Sequence, residues 1–234
     1  MFNWQKHKII MVRILKDIYQ DILISPFLGF KGGTACHLFY ELNRHSVDLD
    51  FDLLKPELKK TVFQEIEKIV KKYTIIKERH IKKDTIFFLL SYGEKEHNIK
   101  IEISTRNFGN NYQLSNYLGI SLLVMKKEDM FANKLIALLT RKKIANRDIF
   151  DLYYFFSQNW DINEEIIKSR MNCDLKECLK GCLRAVQKVN NKQILQGLGE
   201  LIDEKQKKWV KENLKKELIF YLEFYLKNYE ERTS

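Results

Sequence analysis

Residues 48–53 read Asp-Leu-Asp-Phe-Asp-Leu, an alternation without a break. A period of two is that of a β-strand, so Leu49, Phe51 and Leu53 go to one face and Asp48, Asp50 and Asp52 to the other. Same-face neighbours on a strand lie about 6.5 to 7 Å apart, so Asp48 and Asp50 can converge on one divalent cation or a close pair. The same alternation also describes a strand with a solvated face, and what precedes it decides between the two. Upstream stands Phe30-Lys31-Gly32-Gly33-Thr34, a short apolar run ending in a glycine turn. Gly32 and Gly33 have no side chains to keep a phosphate from the backbone amides, and Ser46 can add a hydroxyl. An isolated Gly-Gly pair serves equally well as a turn of positive φ. A glycine turn, one short helix and then an acidic strand place phosphate donors beside carboxylates, a combination that points to nucleotide chemistry. Arg44 and His45 lie between these pieces and either touch the nucleotide or cap the loop.

The surrounding pattern predicts an α+β fold. Residues 4–23 carry the stripe of an amphipathic helix (Ile10, Ile14, Ile18, Ile22), followed by Pro26. A strand over 27–31 leads to a helix over 35–43 with Thr34 at its N-cap. A helix over 57–72 and strands over 73–79, 85–92 and 98–105 follow, the last two joined by a turn at Gly93-Glu94-Lys95-Glu96. In the third strand Ile99, Ile101 and Ile103 face the core, which leaves Lys100, Glu102 and Ser104 on the other side. Residues 106–119, rich in glycine and asparagine, read as a loop and a domain boundary. Helices are then expected over 126–142, 147–157, 163–170, 175–189, 192–202 and 205–229. The expectation is therefore a sheet domain over 1–119 and a helical bundle over 120–234 that contributes to an active-site cleft.

With 45% apolar and 31% charged residues, the 234-residue chain can bury a core. No run approaches the roughly 20 apolar residues of a membrane span, and Arg13, Lys16 and Asp17 interrupt the opening segment, so a cytoplasmic protein is expected. The formal charge of +10 favours a polyanionic partner. Cys36, Cys173, Cys178 and Cys182 lack the C-x-x-C spacing of a zinc site and read as reduced core thiols. Phe220, Phe224 and Tyr225 suit helix packing better than stacking on RNA bases.

A second block lies in the helical region. Lys134 is in line with Met130 and Leu138, so its stem borders an apolar face and its ammonium either reaches a ligand such as a triphosphate or snorkels to solvent. Arg147 and Asp151 are spaced for a helical ion pair, and Asp148 stands in a first turn, where an acid complements the helix dipole.

The run Lys31-Gly32-Gly33-Thr34-Ala35, then Arg44, Ser46 and Asp48-Leu49-Asp50-Phe51, resembles the AbiEii/AbiGii-type nucleotidyltransferases, toxins of bacterial toxin–antitoxin and abortive-infection systems within the DNA polymerase β-like superfamily. Lys134-Leu135-Ile136-Ala137-Leu138 and Arg147-Asp148-Ile149-Phe150-Asp151-Leu152 are similar to that family's K-L-x-A and R-D-x-x-D-L segments. The resemblance implies a polymerase β-like mixed sheet with flanking helices, followed by a helical bundle. It implies transfer of a nucleoside monophosphate from a nucleoside triphosphate to an acceptor hydroxyl, such as a tRNA end, and a cognate antitoxin protein. On that reading Mg²⁺ or Mn²⁺ is held by Asp48 and Asp50 with Glu102 as third ligand. Gly32, Gly33, Thr34, Ser46 and Lys134 bind the nucleotide, and Asp148 orients Lys134 or the acceptor, while Asp151 and Arg147 support the site. A non-catalytic nucleic-acid or partner-binding module on a degenerate scaffold, and a nucleotidyltransferase acting on a small molecule such as an antibiotic, are the alternatives.

Overall fold

The structure is a computed structural model and describes residues 3–94 and 96–233. It forms two compact units, Met1–Lys126 and Lys127–Ser234.

The first unit opens with α1 (Trp4–Gln20), whose N-cap Asn3 accepts from the Lys6 amide. β1 (Leu28–Lys31), α2 (Gly32–Phe39), β2 (Asp48–Leu53) and α3 (Lys59–Val70) follow. Then come β3 (Ile75–Lys82), β4 (Thr85–Ser91), β5 (Ile99–Ser104), β6 (Tyr112–Tyr117) and β7 (Ile120–Met125). All seven strands make one mixed sheet in the order β3-β4-β5-β2-β1-β7-β6. β2 is parallel to β5 and antiparallel to β1, while β1 is parallel to β7.

Register converts the period-two pattern into two faces. Leu49 and Phe51 stand beside Ile101 and Ile103, which stand beside Phe88 and Ile86 of β4. These residues are fully buried. The Tyr19 ring of α1 lies 6.4 Å from that of Phe51, and Phe63 of α3 stacks on Phe88 at 4.9 Å, so both helices cover this face. Each such side chain contributes about 1.5–3 kcal/mol through its removal from water. Asp48, Asp50 and Asp52 consequently share the opposite face with Lys100, Glu102 and Ser104.

Three sequence expectations are corrected in this unit. The span 106–119 is not a loop ending a domain, because β6 and β7 lie within and just beyond it and complete the sheet. Their hairpin turns at Leu118 and Gly119, both of positive φ. β6 is a mostly exposed edge strand, so it carries no apolar alternation to betray it, and the sheet unit runs to Lys126 rather than 119. Thr34 is not an N-cap, since α2 already starts at Gly32 with Lys31 as its cap. α1 ends at Gln20, which leaves Ile22 exposed. Lys95, in the expected turn between the strands at 85–92 and 98–105, lies outside the described residues.

The second unit contains α4 (Lys127–Thr140), α5 (Asn146–Ser157), α6 (Glu164–Met171), α7 (Leu175–Gln187), α8 (Glu204–Trp209) and α9 (Lys215–Thr233). The helix expected over 192–202 is replaced by two single 3₁₀ turns, 191–193 and 199–201, with Gly197 at φ +69° between them. The last expected helix is divided by a π segment, Val210–Leu214, where the Lys211 carbonyl accepts from Asn191 Nδ2 at 2.8 Å. Cys178 and Cys182 are buried on the apolar stripe of α7 with Leu175, Leu179 and Val186, and all four cysteines are free thiols. Tyr225 packs against Phe156 at 4.8 Å as expected of a core residue, but Phe220 and Phe224 are exposed, contrary to the packing role assigned to them.

Candidate active site

The first cluster is built where β1 turns into α2 beside β2. Gly32 has φ +78°, and a Cβ there would lie 2.4 Å from Asp50 Oδ2, so this position needs glycine both for its backbone and for the carboxylate packed against it. The glycine turn and the acidic face are thus in contact. A Cβ on Gly33 would meet Arg44 Nη2 at 2.9 Å and Ser46 Oγ at 3.0 Å. Arg44 is buried and donates to the His45 carbonyl, which puts a guanidinium under the turn. The buried Thr34 hydroxyl donates to the Asp48 carbonyl, so its one proton ties α2 to the start of β2. His45 stacks on Trp4 with centroids 4.1 Å apart, and burial lowers its pKa, as do His37 and Lys8 nearby. It caps the loop.

On the acidic face Asp50 is in register with Glu102 and Asp48 with Lys100. Lys100 Nζ lies 3.3 Å from Asp48 Oδ2 and 3.6 Å from Glu102 Oε2. Burial raises the pKa of Asp50, Lys100 and Lys31 oppose the rise, and Asp48 and Glu102 add to it. Burial also disfavours the Lys100 ammonium, yet Asp48, Asp50 and Glu102 together hold its pKa above the ordinary lysine value.

Asp52 has a different role. Its carboxylate receives Lys31 Nζ at 2.6 Å, Asn110 Nδ2 at 3.0 Å and the Tyr112 hydroxyl at 2.6 Å, and it is buried. The Tyr112 ring reaches it over Gly29, where a Cβ would lie 2.2 Å from Tyr112 Cε1. Tyr112 and Asn110 therefore cover the Asp52 end of the acidic face.

The donors available to a metal here are hard carboxylate oxygens, the chemistry that suits Mg²⁺ or Mn²⁺. Among the described residues no three His, Cys, Asp or Glu side chains are drawn together tightly enough to hold an ion as they stand. The Lys100 ammonium instead supplies positive charge among Asp48, Asp50 and Glu102, marking where a cation is favoured.

The second cluster lies wholly within the second unit. Lys134 Nζ is 2.8 Å from Asp148 Oδ1 and 2.9 Å from Asp151 Oδ2, and both aspartates are fully buried. Arg141 Nε approaches Asp148 Oδ2 at 2.9 Å as an ion pair, but outside the direction of a hydrogen bond. Asp151, a helix partner of Arg147 by spacing, also faces Lys134. Sequence reasoning missed two residues, Lys100 and Arg141. Lys100 was legible as a face-mate of Glu102, but its ion pair with Asp48 depends on a parallel pairing that alternation does not encode.

A mixed sheet carrying a glycine turn against paired carboxylates, followed by a helical unit with a buried Lys–Asp cluster, defines a nucleotidyltransferase fold. Residues 13–219 match the family described as nucleotidyl transferase AbiEii toxin, type IV toxin–antitoxin system, and the chain belongs to that family. Among solved structures it is similar to a candidate nucleotidyltransferase from H. pylori, with TM-score 0.63 and 22% identity over 97% of this chain and 96% of that one. It is also similar to JHP933 from Helicobacter pylori, with TM-score 0.61 and 20% identity over 100% of this chain and 97% of that one. No curated protein matches the chain at a significant level. No helix among the described residues is long and apolar enough to cross a membrane.

Proposed function

We propose that the chain transfers a nucleoside monophosphate from a nucleoside triphosphate to an acceptor hydroxyl at an RNA end, such as that of a tRNA, with release of pyrophosphate. The observation that carries this reading is the contact of Gly32 with the Asp50 carboxylate, with Asp48 and Glu102 on the same face. A phosphate received by the turn would lie beside these carboxylates, an arrangement of little use to a protein that only binds nucleic acid, because the acids would repel the ligand.

In this reading Asp48, Asp50 and Glu102 would hold Mg²⁺ or Mn²⁺ where the Lys100 ammonium now supplies the positive charge. The bound ion would supply charge neutralisation at the phosphoryl oxygens. Gly32 and Gly33 admit the phosphates to backbone amides, and Ser46 adds a hydroxyl beside Gly33. Thr34 positions α2 against the acidic strand. Lys134, oriented by Asp148 and Asp151, provides positive charge toward the triphosphate. The family implies an antitoxin as a protein partner.

The test is incubation of the protein with each labelled nucleoside triphosphate, Mg²⁺ or Mn²⁺, and total RNA. Label is expected in RNA from the wild type and none from Asp48→Asn or Asp50→Asn. Equal labelling by those variants, or none by the wild type, overturns the reading, and label in added small molecules but not in RNA moves the acceptor to that class.

A further inference from the structure

The second unit contains a cavity of about 660 Å³ that none of the chemistry above uses. Its walls come from two segments: the connection from α4 into the first turn of α5, and the stretch between the end of α7 and Gly197. Lys142, Lys143, Arg147 and Lys188 line it, and no Asp or Glu does. The lysines are exposed.

Both walls are fixed. Asn146 Nδ2 donates to the carbonyls of Gln193 at 2.7 Å and Gln196 at 3.1 Å, which joins one wall to the other. Lys215 Nζ donates to the carbonyls of Gln187 and Val189, both at 2.8 Å, and closes the end of α7. The N-cap of α5 is Ala145, whose side chain cannot satisfy an amide, so the positive end of a twelve-residue helix opens on the same cavity. Three exposed lysines around a preformed concavity repel one another, and an anionic ligand relieves that repulsion.

We propose that this cavity docks the phosphodiester backbone of an RNA strand. The lining favours it over an acidic protein, because cations, amide side chains (Asn190, Gln193, Gln196) and a helix N-terminus are the usual partners of phosphate and sugar oxygens. The lining holds no aromatic residue of the kind that anchors most protein interfaces, its apolar members being Ile144, Ala145 and Val189. Arg147 is the neighbour in sequence of Asp148, so a strand held here runs beside the Lys134–Asp148 cluster. The choice of RNA rests on the function proposed above, but binding is read without nucleotide transfer.

The experiment is fluorescence anisotropy of the full chain with a labelled RNA hairpin bearing a single-stranded 3′ end, over a salt series. Lys142→Ser, Lys143→Ser, Lys188→Ser together should weaken binding by about tenfold or more and reduce the slope of log affinity against log salt by about 2 to 3. The matching Lys→Arg triple should restore both. A charge-matched control on the β3 edge, Lys77→Ser, Lys82→Ser, Lys83→Ser, should cost far less. No binding by the wild type, no loss in the cavity variant, or an equal loss in the control overturns the proposal. Displacement of RNA by polyglutamate at equal charge overturns it in favour of an acidic protein. Asp50→Asn should bind the hairpin like the wild type, so a failure of transfer chemistry and a failure of docking are separately visible.

Discussion

Lys100 stands opposite Asp48 across the parallel pairing of β2 with β5, its ammonium 3.3 Å from the Asp48 carboxylate. It serves Glu102 at 3.6 Å as well, so with Lys31 it supplies the positive charge that lets three acids share a sheet face. A divalent ion at the same carboxylates competes with that ammonium. Lys100→Met should therefore lower the melting temperature in metal-free buffer, by an amount corresponding to about 1–3 kcal/mol for carboxylates left without their partner. Added Mn²⁺ should raise the melting temperature of the variant more than that of the wild type. Thermal melts over a Mn²⁺ titration decide the matter, and identical shifts for the two proteins would remove Lys100 from this role.

Asp50 gives a pH signature with a definite sign. Its pKa is raised in the fold by burial, so the native state holds a proton that the unfolded chain has released. Stability then falls as pH rises from the unfolded value of 3.8 through the folded one. Asp50→Asn removes that cost. The variant should be more stable than the wild type at about pH 7, with the advantage vanishing near pH 4, and should lack transfer activity. Denaturant melts at both pH values check this, and a variant less stable than the wild type at neutral pH would mean that Asp50 is held mainly by its bonds to cations.

The two adjacent glycines should behave differently. Gly32→Ala places a Cβ 2.4 Å from the Asp50 carboxylate at a φ of +78°, so it should cost about 1–2 kcal/mol in backbone strain and displace Asp50. Gly33→Ala meets the end of the Arg44 side chain and the Ser46 hydroxyl, groups that can shift, so its stability cost should be smaller. Nucleotide transfer should be abolished by the first substitution and reduced by the second. Melting temperatures and labelling rates measured side by side check the ordering.

How much of this was legible in sequence follows from what kind of information each residue carries. The alternation at 48–53 defines its own strand and both its faces, since period two needs no partner to be read. Asp48, Asp50 and Glu102 share one face for the same reason. Which strand lies beside β2, and in what register, is set by packing between segments about 50 residues apart, so the Lys100–Asp48 pair stayed hidden. β6 has no apolar period because it is an exposed edge, and the glycines and asparagine around it imitate a loop. Thr34 suits an N-cap by residue type, but Gly32 at positive φ starts the helix two residues earlier. Asp52 alternates with its neighbours and yet leaves the open face, because Tyr112, from a strand not recognised in sequence, bends over Gly29 to hold it.

Lys134, Asp148 and Asp151 form a unit whose members cannot be removed one at a time. The Lys134 side chain is 17% exposed and its ammonium contacts two carboxylates whose side chains are 1% and 0% exposed, so deleting it takes a cation from two charges in an interior that solvates them poorly. Lys134→Met should destabilise the protein by about 3–5 kcal/mol, the usual cost of breaking a buried pair from one side. Arg141, in ion-pair contact with Asp148, moderates the loss at that residue. The triple variant Lys134→Met, Asp148→Asn, Asp151→Asn removes all three charges, and should regain most of the lost stability while remaining without transfer activity. Denaturant melts of the single and triple variants, read with the labelling assay, separate folding from chemistry. A triple variant as unstable as the single one would show that the carboxylates hold the helices through bonds other than those to Lys134, and recovery of activity along with stability would place Lys134 outside the reaction.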